Sequence, residues 1–117
     1  MIVSGKVLKG RGVGRALGFP TLNLNPENAP KSLKFGVYAA KVVCGTREFK
    51  GVLHYGPRPT HEFSTSFEVH VFGLDEDLYG KEISVEIKKR IRDVKKFESE
   101  EELKNAIAKD VAAAQAG

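Results

Sequence analysis

Residues 81–91 read KEISVEIKKRI, and their alternation sets the fold class. Ile83, Val85, Ile87 and Ile91 fall at odd positions, whereas Glu82, Ser84, Glu86, Lys88 and Arg90 fall at even ones. In an extended chain successive side chains point to opposite faces, so this stretch is a strand with one face turned to a core. Four earlier segments share its character: IVSGKVLKG (2–10), GVYAAKVVCG (36–45), REFKGVLHYG (47–56) and TSFEVHVFGL (65–74). All are rich in β-branched and aromatic residues and are punctuated by glycine or proline. In TSFEVHVFGL, Phe67, Val69 and Val71 share one face and leave Glu68 and His70 together on the other.

The period changes near the C-terminus. Ser99 followed by Glu102 forms a capping box, which satisfies the orphan amides that open a helix. Leu103, Ile107, Val111 and Ala114 then recur at intervals of three and four, giving an apolar stripe that can lie on a sheet. Short strands with almost no helix between them argue against a parallel α/β sheet. The chain is expected to be mainly all-β, an antiparallel, closed or nearly closed β-barrel with a C-terminal α-helix, formed by residues 1–117 as one domain.

At 117 residues, 41% hydrophobic and 29% charged, the chain has the proportions of an ordinary soluble domain. No apolar run is long enough to span a membrane, and MIVSGKVLKG has no signal-peptide character, so a cytoplasmic protein is expected. Cys44 is the single cysteine, which excludes an internal disulfide or a multi-cysteine zinc site, and its strand context predicts a buried, inert thiol. The spacing of His54, His61 and His70 matches no zinc signature. A formal charge of +4 permits anionic partners without requiring nucleic acid. The basic run Lys88, Lys89, Arg90, Arg92, Lys95 and Lys96 reads as a solvated strand edge, with Arg92 a candidate ligand contact.

Three stretches can carry chemistry. GRGVGR (10–15) places glycines at every second position with Arg11 and Arg15 supplying charge, which suits a phosphate cradle, although taken alone the motif more often marks a surface loop with solvated arginines. In LGFPTLN (17–23), an extended backbone would bring Thr21 and Asn23 to the same face, roughly 6 to 7 Å apart. Two neutral oxygen donors could share a magnesium ion with a nucleotide's phosphates, or could satisfy turn backbone. Glu68 could be a base fixed on a strand, or an acid paired across strands with a lysine.

The order of these motifs adds what no single one supplies. GKVLKGRGVGRALGFPTLNL, GVYAAKV, GPRPT and FEVHVFGLDEDLYGKEISVEIKKRIRDVKKFESEEEL together resemble the riboflavin kinase family along almost the entire chain. The likeness is to the kinase module of bacterial bifunctional FAD synthetases and to eukaryotic flavokinases. It implies a six-stranded antiparallel closed barrel with a terminal helix, and transfer of the γ-phosphoryl group of ATP to the 5′-hydroxyl of riboflavin, giving FMN and ADP. By this resemblance Thr21 and Asn23 help hold the Mg2+ of the nucleotide, and Glu68 is the general base. Gly10, Gly12 and Arg15, with Thr21 and Asn23, embrace ATP, while Arg92 and Phe97 lie in the segment that closes over the flavin.

The family's NIGxRPTF is here HYGPRPTH, so His54, Pro57 and His61 depart from the pattern. The adenylyltransferase domain of the bifunctional synthetases is not within these residues, although the natural protein could carry or associate with one. A monomer is expected, with riboflavin or FMN and ATP or ADP as partners and neither membrane nor nucleic acid. A non-catalytic binding barrel would have no reason to keep Thr21, Asn23 and Glu68 together. A single-strand nucleic-acid barrel would need exposed aromatic residues along a groove, and the chain has no tryptophan and three scattered tyrosines.

Overall fold

The β-rich segments pair as antiparallel neighbours, beginning with the tightest connection. Gly45 and Thr46 join Cys44 to Arg47, and Gly45 takes φ 62°, a left-handed conformation that a two-residue hairpin needs and a side chain resists. The structure, a computed structural model, describes residues 1–8, 21–57, 65–74, 76–94 and 99–116. It contains β1 (Ile2–Lys6), β2 (Thr21–Asn23), β3 (Gly36–Cys44), β4 (Arg47–Pro57), β5 (Thr65–Val71), β6 (Glu82–Arg92) and helix α1 (Glu100–Ala116). Among the described residues the strands form one antiparallel sheet in the order β1-β6-β3-β4-β5-β2.

The sheet curls around an interior built by alternation. Val3, Leu22, Tyr38, Val42, Leu53, Phe67, Val69, Val71, Ile83 and Val85 are buried together, one residue in two along their strands. Each side chain fully removed from water contributes about 1.5–3 kcal/mol, so this interior is the main source of stability. Cys44 is partly buried against the same cluster and is a free thiol. A smaller cluster lies on the outer face, where Val37 and Val52 are covered by Ala114 of α1, with Ala39, Phe72, Ile91 and Val111 around them. The helix therefore lies across β4, β3 and β6. Its start is capped as expected on one side, the Glu102 amide donating to Ser99 Oγ at 3.2 Å. Ile107, Val111 and Ala114 face the sheet as the spacing predicts, and the Leu103 side chain lies outside the described set.

Two expectations are corrected. The barrel is open, not closed: between its edge strands the described residues make a single bridge, Leu8 N–H donating to the Asn23 carbonyl at 2.7 Å. Two pairs further along, Lys6 would meet Asn25, but Asn25 already caps a 3-10 turn over Pro26–Asn28, its Oδ1 accepting from the Glu27 amide at 3.0 Å. The extended backbone ends there, and the turn fills the seam. A Cβ on Gly5 would come within 2.8 Å of the Asn28 side-chain nitrogen.

Ile91 is the second correction. It packs in the outer cluster and not with Ile83, Val85 and Ile87, because the β3–β6 register shifts between Val37 and Tyr38 and again between Tyr38 and Ala40. Each shift inserts one extra residue on β6, and the one between Ile87 and Arg90 reverses the parity that faces the interior before Ile91 is reached.

Candidate active site

With Phe67, Val69 and Val71 committed to the interior, Ser66, Glu68 and His70 of β5 project from the outer face. The register then assembles their neighbours. Asn23 of β2 lies directly opposite Glu68, and Thr21 lies opposite His70. On the other side of β5, His54 is opposite Glu68 and Val52 opposite His70. Val37 continues the line beside His54, and Arg92 beside Val37. One rung thus reads Asn23, Glu68, His54, Val37, Arg92 across five strands.

Directly opposed residues in an antiparallel pair sit about 4.5–5.5 Å apart at Cα, so Asn23 and Glu68 are immediate neighbours and Thr21 lies two pairs along, the next position on the same face. Arg92, three strands from Glu68, stands roughly 14 Å away along the sheet. Thr21, Asn23 and Glu68 are each half-buried, open enough for a ligand to reach.

The polar groups beneath this edge are tied together. Thr21 Oγ1 and His70 Nδ1 are hydrogen-bonded at 3.0 Å. His54 Nδ1 and Ser66 Oγ are hydrogen-bonded at 2.6 Å, and Ser66 Oγ also lies 3.3 Å from the Gly56 carbonyl. Both histidines are buried. Burial holds the His70 imidazole down at about 4, because the charged ring loses its water, and the nearby Asp110 carboxylate opposes that only in part. His70 is a neutral ring at physiological pH.

Asp110 is the functional-face residue that sequence reasoning missed. It sits on α1 three residues after Ile107 and four before Ala114, within the apolar stripe, and that misplaced acid was the available signal. Its carboxylate receives Arg92 Nε on one oxygen and Nη2 on the other, both at 2.8 Å. Arg92 Nη1 also donates to the Asp93 carbonyl at 2.9 Å. A bidentate pair of this kind fixes the guanidinium plane.

Thr21, Asn23 and Glu68 are thus brought together, and Arg92 shares their rung at the far side of the sheet. Gly10, Gly12, Arg15 and Phe97, together with His61, Lys95 and Lys96, lie outside the described residues. Lys88, Lys89 and Arg90 are exposed; Lys88 pairs with Glu86 at 3.5 Å and Arg90 with Asp93 at 2.6 Å. Among the described residues no three His, Cys, Asp or Glu side chains converge on a point. The donor set at the β2 edge is a hydroxyl, an amide oxygen and a carboxylate. Such hard oxygen donors suit a magnesium ion that retains water and shares phosphate oxygens, and they do not suit zinc.

Comparison with solved structures places the fold first. A Streptococcus pneumoniae structure described as a macrolide-efflux protein superposes with a TM-score of 0.82 at 28% identity, covering 97% of this chain and 38% of that one. The riboflavin kinase of Trypanosoma brucei superposes with a TM-score of 0.59 at 21% identity, covering 97% of this chain and 76% of that one. The class is the helix-backed antiparallel barrel that riboflavin kinases adopt.

The sequence places the chain within that class. A family model, Flavokinase (riboflavin kinase), matches residues 1–117, and the chain belongs to the riboflavin kinase family. The bifunctional riboflavin kinase/FMN adenylyltransferase of Haemophilus influenzae is 40% identical over 116 residues, which is 97% of this chain and 37% of that protein. The chain therefore spans little more than a third of that relative.

Proposed function

We propose that this chain is a riboflavin kinase, transferring the γ-phosphoryl group of ATP to the 5′-hydroxyl of riboflavin to give FMN and ADP. The observation that carries this reading is the register that sets Glu68 directly opposite Asn23, with Thr21 two pairs along at the next position on the same outer face. Membership of the riboflavin kinase family supports it along all 117 residues.

In this reading the Glu68 carboxylate accepts a hydrogen bond from the ribityl 5′-hydroxyl and orients its oxygen toward the γ-phosphorus. The oxygen–phosphorus bond forms, the bond from γ-phosphorus to the β,γ-bridging oxygen breaks, ADP leaves, and the hydroxyl proton passes to Glu68. Such a base contributes on the order of 10²- to 10⁴-fold. The transition state is loose, so alignment and charge neutralisation account for most of the rest.

Thr21 and Asn23 would hold a magnesium ion carried by the nucleotide, which supplies positive charge beside the transferring phosphoryl group. Gly10, Gly12 and Arg15 would surround the ATP phosphates. Arg92 and Phe97 would meet the flavin, an elongated substrate that fits a site whose ends lie several strands apart. Residues 1–117 act as one kinase domain and as a monomer, in the cytoplasm, with small molecules and not nucleic acid as partners. An adenylyltransferase domain like that named in the relatives would consume the FMN.

Incubation of the chain with riboflavin, ATP and MgCl2, followed by chromatography of the flavins, tests the proposal. FMN should accumulate with time and enzyme, and only when magnesium is present. A folded chain that leaves riboflavin unchanged would overturn it.

A further inference from the structure

Thr21 Oγ1 has one proton and two lone pairs, and the reading above needs the lone pairs. A hydroxyl can present them to a cation only if its proton is directed elsewhere. His70 Nδ1, 3.0 Å away, stands where that proton would go. The ring is well placed to be a fixed acceptor. It is buried, it faces Thr21 in register across β2 and β5, and its neighbour on β4, Val52, is covered by α1.

Filling space does not explain the residue. Val52 and Val37 show that the outer face accepts aliphatic side chains, and a buried ring nitrogen costs free energy that leucine would not.

Resting on the kinase reading, we propose that His70 is a positioning residue for Thr21. Its Nδ1 accepts the Thr21 hydroxyl proton and so turns the oxygen lone pairs toward the nucleotide-borne magnesium ion. The ring hydrogen then resides on Nε2. The arrangement is the hydroxyl counterpart of the outer-shell partners that orient metal ligands elsewhere, whose loss typically weakens metal binding by about 10- to 100-fold.

Three substitutions separate orientation from packing. His70→Asn keeps a polar atom near the Nδ1 position, His70→Gln moves it toward the Nε2 position, and His70→Leu fills space without an acceptor. Calorimetric titration of magnesium against the full chain with ADP gives the metal concentration for half-maximal nucleotide binding. Flavin fluorescence gives riboflavin affinity separately, and thermal melts report folding. His70→Asn should stay within about threefold of the unmodified chain, whereas His70→Gln and His70→Leu should need about tenfold more magnesium, with riboflavin affinity unchanged. In a Thr21→Val background His70→Leu should add no further loss, since the oriented hydroxyl is already gone.

Should His70→Leu fail to fold, the Asn and Gln pair decides the matter alone. Equal shifts in Asn and Gln, or losses that add to Thr21→Val, would overturn the inference. An unmodified chain that forms no FMN would overturn the kinase reading and this inference with it. One that forms FMN with a magnesium titration indifferent to residue 70 would overturn this inference alone.

Discussion

Asp110→Ala should destabilise the protein far more than its place on a surface helix suggests. The substitution removes both acceptors of the bidentate pair with Arg92, at 2.8 Å each. Breaking a buried ion pair from one side costs about 3–5 kcal/mol, because the surviving charge is stranded. Here the survivor is Arg92, whose side chain is 27% exposed, against 6% for Asp110, so water recovers part of the loss. The expected cost is about 2–3 kcal/mol. An unfolding entropy of about 2.1 cal/mol/K per residue converts this to a fall in Tm of roughly 8–12 °C for a domain of this size.

The reverse substitution tests the same physics. Arg92→Met leaves the nearly enclosed carboxylate of Asp110 without its partner and should cost more, about 3–5 kcal/mol. The double variant should cost less than the two singles together. Circular-dichroism melts and urea titrations of the four proteins complete the cycle. Additive losses, or an Asp110→Ala change below about 1 kcal/mol, would refute the claim that this pair fastens the helix to the sheet.

Glu68→Gln should lower turnover by about tenfold or more while riboflavin affinity, measured by fluorescence, holds; unchanged turnover removes Glu68 from proton transfer. Asn23→Ala should raise the magnesium concentration needed for half-maximal activity, and an unaltered metal titration would reject its role. The ligand-free protein should also lose stability in mild acid. His70 takes up a proton near 6.5 when unfolded but only near 4 when folded, so stability present above pH 6.5 falls as the pH drops toward 4. The loss should reach about 2 kcal/mol by pH 5, and His70→Asn should flatten that part of the profile; an identical profile would show that another group governs it.

Much of the fold was legible because it rests on local alternation. Phe67, Val69 and Val71 against Glu68 and His70 needed only the period of two, and the helix followed from Ser99, Ile107, Val111 and Ala114. What was misread depends on partners distant in sequence. Ile91 changes face because of bulges against β3, which no window around residue 91 contains. Among the described residues the seam closes by a single bridge because the chain turns at Asn25, just past β2, while alternation alone would have carried the edge onward.

The site shows the same division. The residue types at Thr21, Asn23 and Glu68 could be read, but their adjacency comes from the pairing of β2 with β5, elements more than forty positions apart. Asp110 was visible as an acid amid apolar spacing, and its meaning emerged only with Arg92 beside it.

The oxygen donors Thr21 and Asn23 ride on an edge strand that is the shortest of the six, and among the described residues its further edge makes one bridge. Among the described residues, peeling that ribbon away gives up its ladder to β5, the Leu8 bridge and the burial of Leu22, less than unravelling the interior. Amide hydrogen exchange should therefore run faster at Leu24, whose N–H meets the Phe67 carbonyl at 2.8 Å, than at Val42 or Val85 in the middle of the sheet. Occupancy by magnesium and ADP should slow it selectively. Exchange of that kind would mean that the rim opens while the interior holds, a doorway without a hinge.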